Sequence, residues 1–270
     1  MPAAHQGVAV NGVPYARLST EGPPLVVLTG SELEHRPPSW TARQGFLRGL
    51  PRLCRQFSVY LLSRRRGLPA GTTARDIAQD VAAMMREHLG APAHLMGMSS
   101  GGSSVLHLAA DHPDLVDRLV VAMAAHRLNP HGREVATVWR DLALAEDWPA
   151  LYQRMGVDVA EGRAPEWFTR GLMRVFGRVL LGRPSSGQDL AAVLDADLNL
   201  DVVGELPQIS RSTLVIGGEH DPFYGADNIR QTARLIPGAE LVLLDGGHAV
   251  VKTQTRLFES AVLRFLQGDA

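Results

Sequence analysis

Gly97-Met98-Ser99-Ser100-Gly101 decides how the rest of this chain is read. An apolar run, Ala93-His94-Leu95-Met96, leads into it, and a helical pattern, Ser103 to Ala110, leads out. A G-x-S-x-G serine held between a strand and a helix sits on a sharp turn that presents its hydroxyl. Gly97 and Gly101 suit that turn, because a side chain at either place would crowd strand against helix. The helix opening at Ser100 aims free N–H groups and its positive end at the place where negative charge would develop. A serine hydroxyl is a weak nucleophile alone and needs a base, which in turn needs an orienting acid. Ser99 as a nucleophile therefore demands a histidine, a carboxylate and a second oxyanion donor elsewhere in the chain.

Upstream, Gly7–Val10 and Val13–Leu18 flank Asn11-Gly12, a hairpin turn signal. Leu25-Val26-Val27-Leu28 is continuous apolar sequence, as in a strand buried on both faces. A polar loop with prolines follows, then a helical pattern from about Trp40 to Gln56 and a strand from Phe57 to Leu62. Thr73 and Asp76 form a capping signal for a helix running to Leu89. Beyond the central motif comes a strand at Val116–Met123. Strands alternating with helices predict a mostly parallel sheet with helices on both faces.

The alternation stops near Asn129-Pro130. Helical patterns then dominate at 134–146, 148–159, 165–181 and 189–198, before strands return at Thr213–Ile216 and Glu240–Leu244, with a last helix from about Val250 to Leu266. The acid candidate is Asp221, in the loop leaving the strand Thr213–Ile216 at its carboxyl end, where open α/β sheets place their sites. Glu219 and Asp227 are rivals better read as solvated carboxylates. The base candidate is His248, following the strand Glu240–Leu244 in a loop loosened by Gly246-Gly247. The order Ser99, Asp221, His248 is that of a hydrolytic triad. One oxyanion donor is the Ser100 N–H; the other comes from the loop after Leu28, hence Gly30 or Ser31.

The chain has 270 residues, 45% hydrophobic and 20% charged, with a net charge of −1. That is globular composition, and it offers no basic surface for nucleic acid. A lone Cys54 excludes an internal disulfide and a thiolate metal cluster. His107 and His112 lack metal-ligand spacing, so no metal site is expected, and a serine–histidine–aspartate mechanism requires no cofactor. No signal peptide and no run of membrane-span length is visible, so a cytoplasmic protein acting on a small molecule is the expectation.

With these motifs in hand, the chain resembles the capped serine hydrolases of the α/β-hydrolase fold. The resemblance rests on Gly97–Gly102, Gly217–Asp221 and Gly247-His248, with Asp111-His112-Pro113 and Trp40 in support. It implies an eight-stranded, mostly parallel sheet formed by residues 1–128 and 209–270, with 129–208 as a helical cap, and it implies catalysis by Ser99, Asp221 and His248. Two places depart from the family. Thr29-Gly30 stands where His-Gly is frequent, with Ser31 as the implied second donor. Arg64-Arg65-Arg66-Gly67 replaces D-x-R-G, keeping only Arg66-Gly67; the arginines read as a solvated or ion-paired surface, or as a receptor for an anionic group. Trp139, Trp148, Trp167, Phe168, Met173 and Phe176 are expected mainly to pack cap against core. The expected activity is hydrolysis of an ester, thioester or lactone of a moderately hydrophobic molecule. C–C bond hydrolysis, a biosynthetic thioesterase or cyclase, and a non-catalytic receptor are the alternatives.

Overall fold

A computed structural model describes residues 5–90, 92–160 and 164–268. Eight strands form one sheet in the order β1-β2-β4-β3-β5-β6-β7-β8. They are β1 (His5–Val8), β2 (Pro14–Arg17), β3 (Pro24–Leu28), β4 (Ser58–Leu62), β5 (Ala93–Met98), β6 (Val116–Ala122), β7 (Thr213–Gly218) and β8 (Glu240–Leu244). β1, β2 and β4 pair antiparallel, and every pairing from β4 through β8 is parallel. The hairpin forms as expected, although its first strand ends at Val8 and Val10 lies in the turn.

The central apolar runs follow from burial on both faces. In β3, Val26 and Leu28 join one core, packed beneath α3 (Ala74–His88) and α4 (Ser100–Asp111). Leu25 and Val27 join the other, with Leu53 and Phe258 from α2 (Pro51–Gln56) and α11 (Thr255–Gln267). α3 carries its capping box: Asp76 N–H donates to Thr73 Oγ1 at 3.1 Å, and Thr73 N–H donates back to Asp76 Oδ2 at 2.8 Å. The helix expected over 40–56 is two, α1 (Trp40–Gly49) and α2, because Pro51 lacks the N–H that would continue it and instead starts a new helix. The terminal helix likewise splits into α10 (Val250–Thr253) and α11.

Between β6 and β7 lie four helices: α5 (Pro130–Leu144), α6 (Trp148–Ala160), α7 (Glu166–Leu180) and α8 (Gly187–Leu198). α5 begins earlier than its periodicity suggested, because Asn129 caps it through the Gly132 N–H at 2.7 Å and Pro130 occupies the first turn. The packing expected of the insertion's large apolar residues holds for Trp139 and Met173, which are buried. It fails for Trp167, Phe168 and Phe176, which are exposed, Trp167 at 76%. α7 turns its small face inward: a Cβ on Gly177 would lie 2.6 Å from Tyr152 Cβ, and one on Gly156 of α6 would lie 2.2 Å from Met173 Cγ. The close approach of α6 and α7 leaves Trp167, Phe168 and Phe176 of α7 outside. α9 (Ala226–Leu235) completes the β7–β8 crossover.

Candidate active site

β3 is flanked by β4 on one side and β5 on the other, so the connections leaving β3 and β5 diverge at their carboxyl ends. That divergence opens the crevice in which such sheets bind ligands. Leu28 pairs with Gly97 in the register, which sets the loop after β3 beside the turn after β5. Their approach is backbone against backbone: a Cβ on Gly101 would lie 2.2 Å from the Leu28 carbonyl oxygen, and one on Gly97 would lie 2.3 Å from Val105 Cγ2. A Cβ on Gly30 would meet Ser99 Cβ at 3.2 Å.

Ser99 has φ 52° and ψ −126°, the mirror image of an extended conformation and costly for a residue with a side chain. The Ser99 N–H is held by the Ala122 carbonyl of β6 at 2.9 Å, and its own carbonyl accepts from Gly102 N–H at 2.7 Å. These contacts hold the strained turn and aim Oγ into the crevice.

The structure brings together the three residues singled out in the sequence. His248 Nε2 lies 2.9 Å from Ser99 Oγ, and Nδ1 lies 2.8 Å from Asp221 Oδ2. The other carboxylate oxygen, Oδ1, accepts from Phe223 N–H at 2.8 Å and Tyr224 N–H at 3.0 Å. Asp221 is buried and His248 nearly so. A carboxylate with one oxygen spoken for by the backbone can offer only the other to the imidazole. That selects the tautomer with hydrogen on Nδ1 and a lone pair on Nε2 facing Ser99. The rivals lie elsewhere: Glu219 and Asp227 both pair with Arg230. Ser100 opens α4, where first-turn N–H groups lack intrahelical acceptors, and Ser31 follows Gly30 in the adjoining loop.

Two neighbours of the site, Phe223 and Tyr224, gave no sequence signal. Phe223 meets the His248 ring edge-on at 4.7 Å, and Tyr224 stacks near it at 6.0 Å. Trp139 of α5 packs on Phe223 with ring centroids 5.8 Å apart, a contact between the insertion and the ring beside His248. Burial holds the Tyr224 phenol protonated well beyond its usual range. The arginine trio divides. Arg66 is exposed, and Arg65 pairs with Asp80 at 2.7 Å, as a surface reading expects. Arg64, however, is only 2% exposed. Its Nη1 donates to the Thr29 carbonyl at 2.7 Å and to the Gly30 carbonyl, and its Nη2 donates to Ser100 Oγ at 2.9 Å. Two carboxyls feel its charge. Burial pushes Asp197 of α8 up to about 7 despite Arg64 and Ser103. Desolvation also raises Glu32, against hydrogen bonds from Ser63 and Thr29 and the pull of Arg64. Among the described residues no group of three or more His, Cys, Asp or Glu is arranged to hold a metal, and no helix is long and apolar enough to cross a membrane.

A single sheet of this topology, with a serine at the β5 turn and His and Asp on later loops, is the architecture of α/β-hydrolase enzymes. The chain belongs to the alpha/beta hydrolase family, whose pattern matches residues 11–260. It is similar to a pyrrolizixenacetamide deacetylase from Xenorhabdus hominickii, with 28% identity over 180 residues covering 64% of this chain and 65% of that protein. A putative carbamate hydrolase RutD from Caulobacter vibrioides is 27% identical over 207 residues, covering 75% of this chain and 76% of the relative. Among solved structures, the enol-lactonase from Burkholderia xenovorans LB400 superposes with a TM-score of 0.77 at 24% identity, covering 97% of this chain and all of the other. The chain is an enzyme of the hydrolase class.

Proposed function

We propose that the chain is a serine hydrolase that opens an ester, thioester or lactone of a moderately hydrophobic small molecule through an acyl-enzyme. The observation that carries this reading is the unbroken line Ser99–His248–Asp221, with 2.9 and 2.8 Å separations. His248 Nε2 takes the Ser99 proton as Oγ attacks the carbonyl carbon. The resulting oxyanion is received by the N–H groups of Ser100 and Ser31. His248 then gives its proton to the leaving group as the bond to the carbonyl carbon breaks. Water, deprotonated by the same nitrogen, attacks the acyl-enzyme and restores Ser99. Asp221 keeps the Nδ1 hydrogen in place and balances the imidazolium without taking a proton.

The aromatic wall of Phe223 and Trp139 favours an apolar acyl or leaving group. The relatives named as a deacetylase and as a putative carbamate hydrolase act, by those names, on acyl carbon, which agrees with this chemistry. In this reading the helices between β6 and β7 are a cap that shapes substrate choice. A fluorophosphonate probe followed by peptide mapping tests the mechanism. Exclusive labelling of Ser99, with turnover lost in Ser99→Ala, is expected. Labelling elsewhere, or full turnover in that variant, overturns the reading.

A further inference from the structure

We infer that Arg64 is a positioning residue for the oxyanion hole: its buried guanidinium fixes the direction of the Ser31 N–H and ties the loop after β3 to the Ser100 turn. The inference rests on the hydrolase reading above and adds a residue to it.

Gly30 is the joint of the loop after β3. A side chain there would press on Ser99, since even a Cβ would come within 3.2 Å of Ser99 Cβ. Glycine solves the steric problem and creates another, because it is the residue whose backbone swings most freely. The N–H that must point at a developing oxyanion belongs to the peptide unit immediately after this free joint. Arg64 clamps both peptide units that flank the joint, one through the Thr29 carbonyl and one through the Gly30 carbonyl. In a trans peptide, carbonyl and N–H point in opposite directions. Holding the Gly30 carbonyl therefore turns the Ser31 N–H away from the guanidinium and fixes its bearing.

The same planar group reaches across the crevice. Its Nη2 donates to Ser100 Oγ at 2.9 Å, on the residue that carries the other donor. One rigid fork thus spans both donors, which a flexible ammonium could not do. The hydrogen-bond acceptors are neutral carbonyl oxygens of the loop after β3 and the hydroxyl of the first residue of α4. Apolar residues fill buried space more stably than a charge does, even a charge that Glu32 and Asp197 partly offset, so packing alone does not account for Arg64.

The test uses the full chain, p-nitrophenyl acetate hydrolysis and the rate of Ser99 phosphonylation by a fluorophosphonate. Arg64→Met should lower kcat about 10²–10³-fold, the loss seen when an oxyanion donor is removed, while KM stays within about threefold. Phosphonylation should slow in parallel, because its phosphoryl oxygen uses the same donors. Arg64→Lys should recover only part of the loss, and guanidinium ion at non-denaturing concentration should restore turnover to Arg64→Ala. Should Arg64→Met fail to fold, Arg64→Lys and Ser100→Ala decide; the latter removes one acceptor and should lower kcat about tenfold, one hydrogen bond's worth. A merely structural Arg64 predicts losses that track melting temperature, fall on kcat and KM alike and resist guanidinium; that pattern overturns the inference, as does unimpaired turnover in Arg64→Met. Wild-type protein that neither labels at Ser99 nor hydrolyses the ester overturns the hydrolase reading itself, and this inference with it.

Discussion

Exchanging Asp221 for asparagine separates orientation from stability at a single carboxylate. The two oxygens of Asp221 have different partners. Oδ1 is held by the N–H groups of Phe223 and Tyr224, and Oδ2 faces His248 Nδ1 at 2.8 Å. In Asp221→Asn the amide oxygen keeps the two backbone donors, which forces the NH2 group toward His248. The imidazole must then accept at Nδ1, so its hydrogen moves to Nε2 and points at Ser99 Oγ. A base with its lone pair facing the wrong way loses on the order of 10⁴-fold in kcat, about 5.4 kcal/mol of barrier. The fold should scarcely change, because both buried donors stay satisfied. Asp221→Ala should lose comparable activity and also destabilise the chain, because two N–H groups lose their acceptor at about 1–3 kcal/mol each. Steady-state hydrolysis of a p-nitrophenyl ester, with calorimetry on both variants, reads the two effects apart. Asp221→Asn retaining a tenth or more of wild-type kcat would refute the tautomer argument. Equal destabilisation of the two variants would refute the division of labour between the oxygens.

Three further outcomes follow from the geometry. Ser99→Gly should be more stable than Ser99→Ala by about 1 kcal/mol, since glycine relieves the strain at φ 52° and gives back part of the gain in unfolded-chain entropy; equal melting temperatures would deny the strain. Gly101→Ala should destabilise by about 3 kcal/mol and abolish turnover, because the new methyl group meets the Leu28 carbonyl oxygen and backbone cannot step aside; a stable, active variant contradicts the close approach. Asp197, raised from 3.8 to about 7, keeps a proton that the unfolded chain releases, so between those values its contribution makes stability fall as pH rises, by up to about 4 kcal/mol. His35, lowered from 6.5 to about 4, refuses a proton that the unfolded chain takes up, so its contribution is lost as pH falls through that window, by up to about 3 kcal/mol. The two slopes oppose each other. Asp197→Asn should therefore raise the melting temperature at pH 8 and leave it nearly unchanged at pH 4, and calorimetry showing the same offset at both would reject the assignment.

Much of this architecture was legible because its signals are local. Strands buried on both faces, such as β3 from Leu25 to Leu28, must be continuously apolar, and the turn at Ser99 must carry glycine where strand, helix and loop touch. Asp221 and His248 could be found because each follows a strand that announces itself. Other features depend on contacts remote in sequence. Arg64 looks like one of three surface arginines until the loop after β3 and the turn after β5 surround it with acceptors. The periodicity of α7 showed an amphipathic helix but not which side would face inward. Thr169, Met173 and Gly177 won that contest: Gly177 lies against Tyr152 of α6 and Met173 against Gly156, with no room for a further side-chain carbon at either glycine. The break at Pro51 was legible in principle and reflects the double use of proline, as a helix stop and as a helix start.

The segment joining α7 to α8 bears on how this enzyme could be re-engineered. Ser185 N–H donates to the Leu33 carbonyl at 2.9 Å, Ser185 Oγ accepts from His35 N–H at 3.1 Å, and Arg183 N–H donates to Glu34 at 2.6 Å. These bonds fasten the four-helix insertion to the stretch that carries Ser31. A chimera that exchanges only the insertion would replace the insertion-side partner of all three, losing the Ser185 hydroxyl and re-setting the two backbone donors. The transplantable module is therefore discontinuous, and a working graft should carry the donor protein's residues equivalent to 29–36 along with its helices.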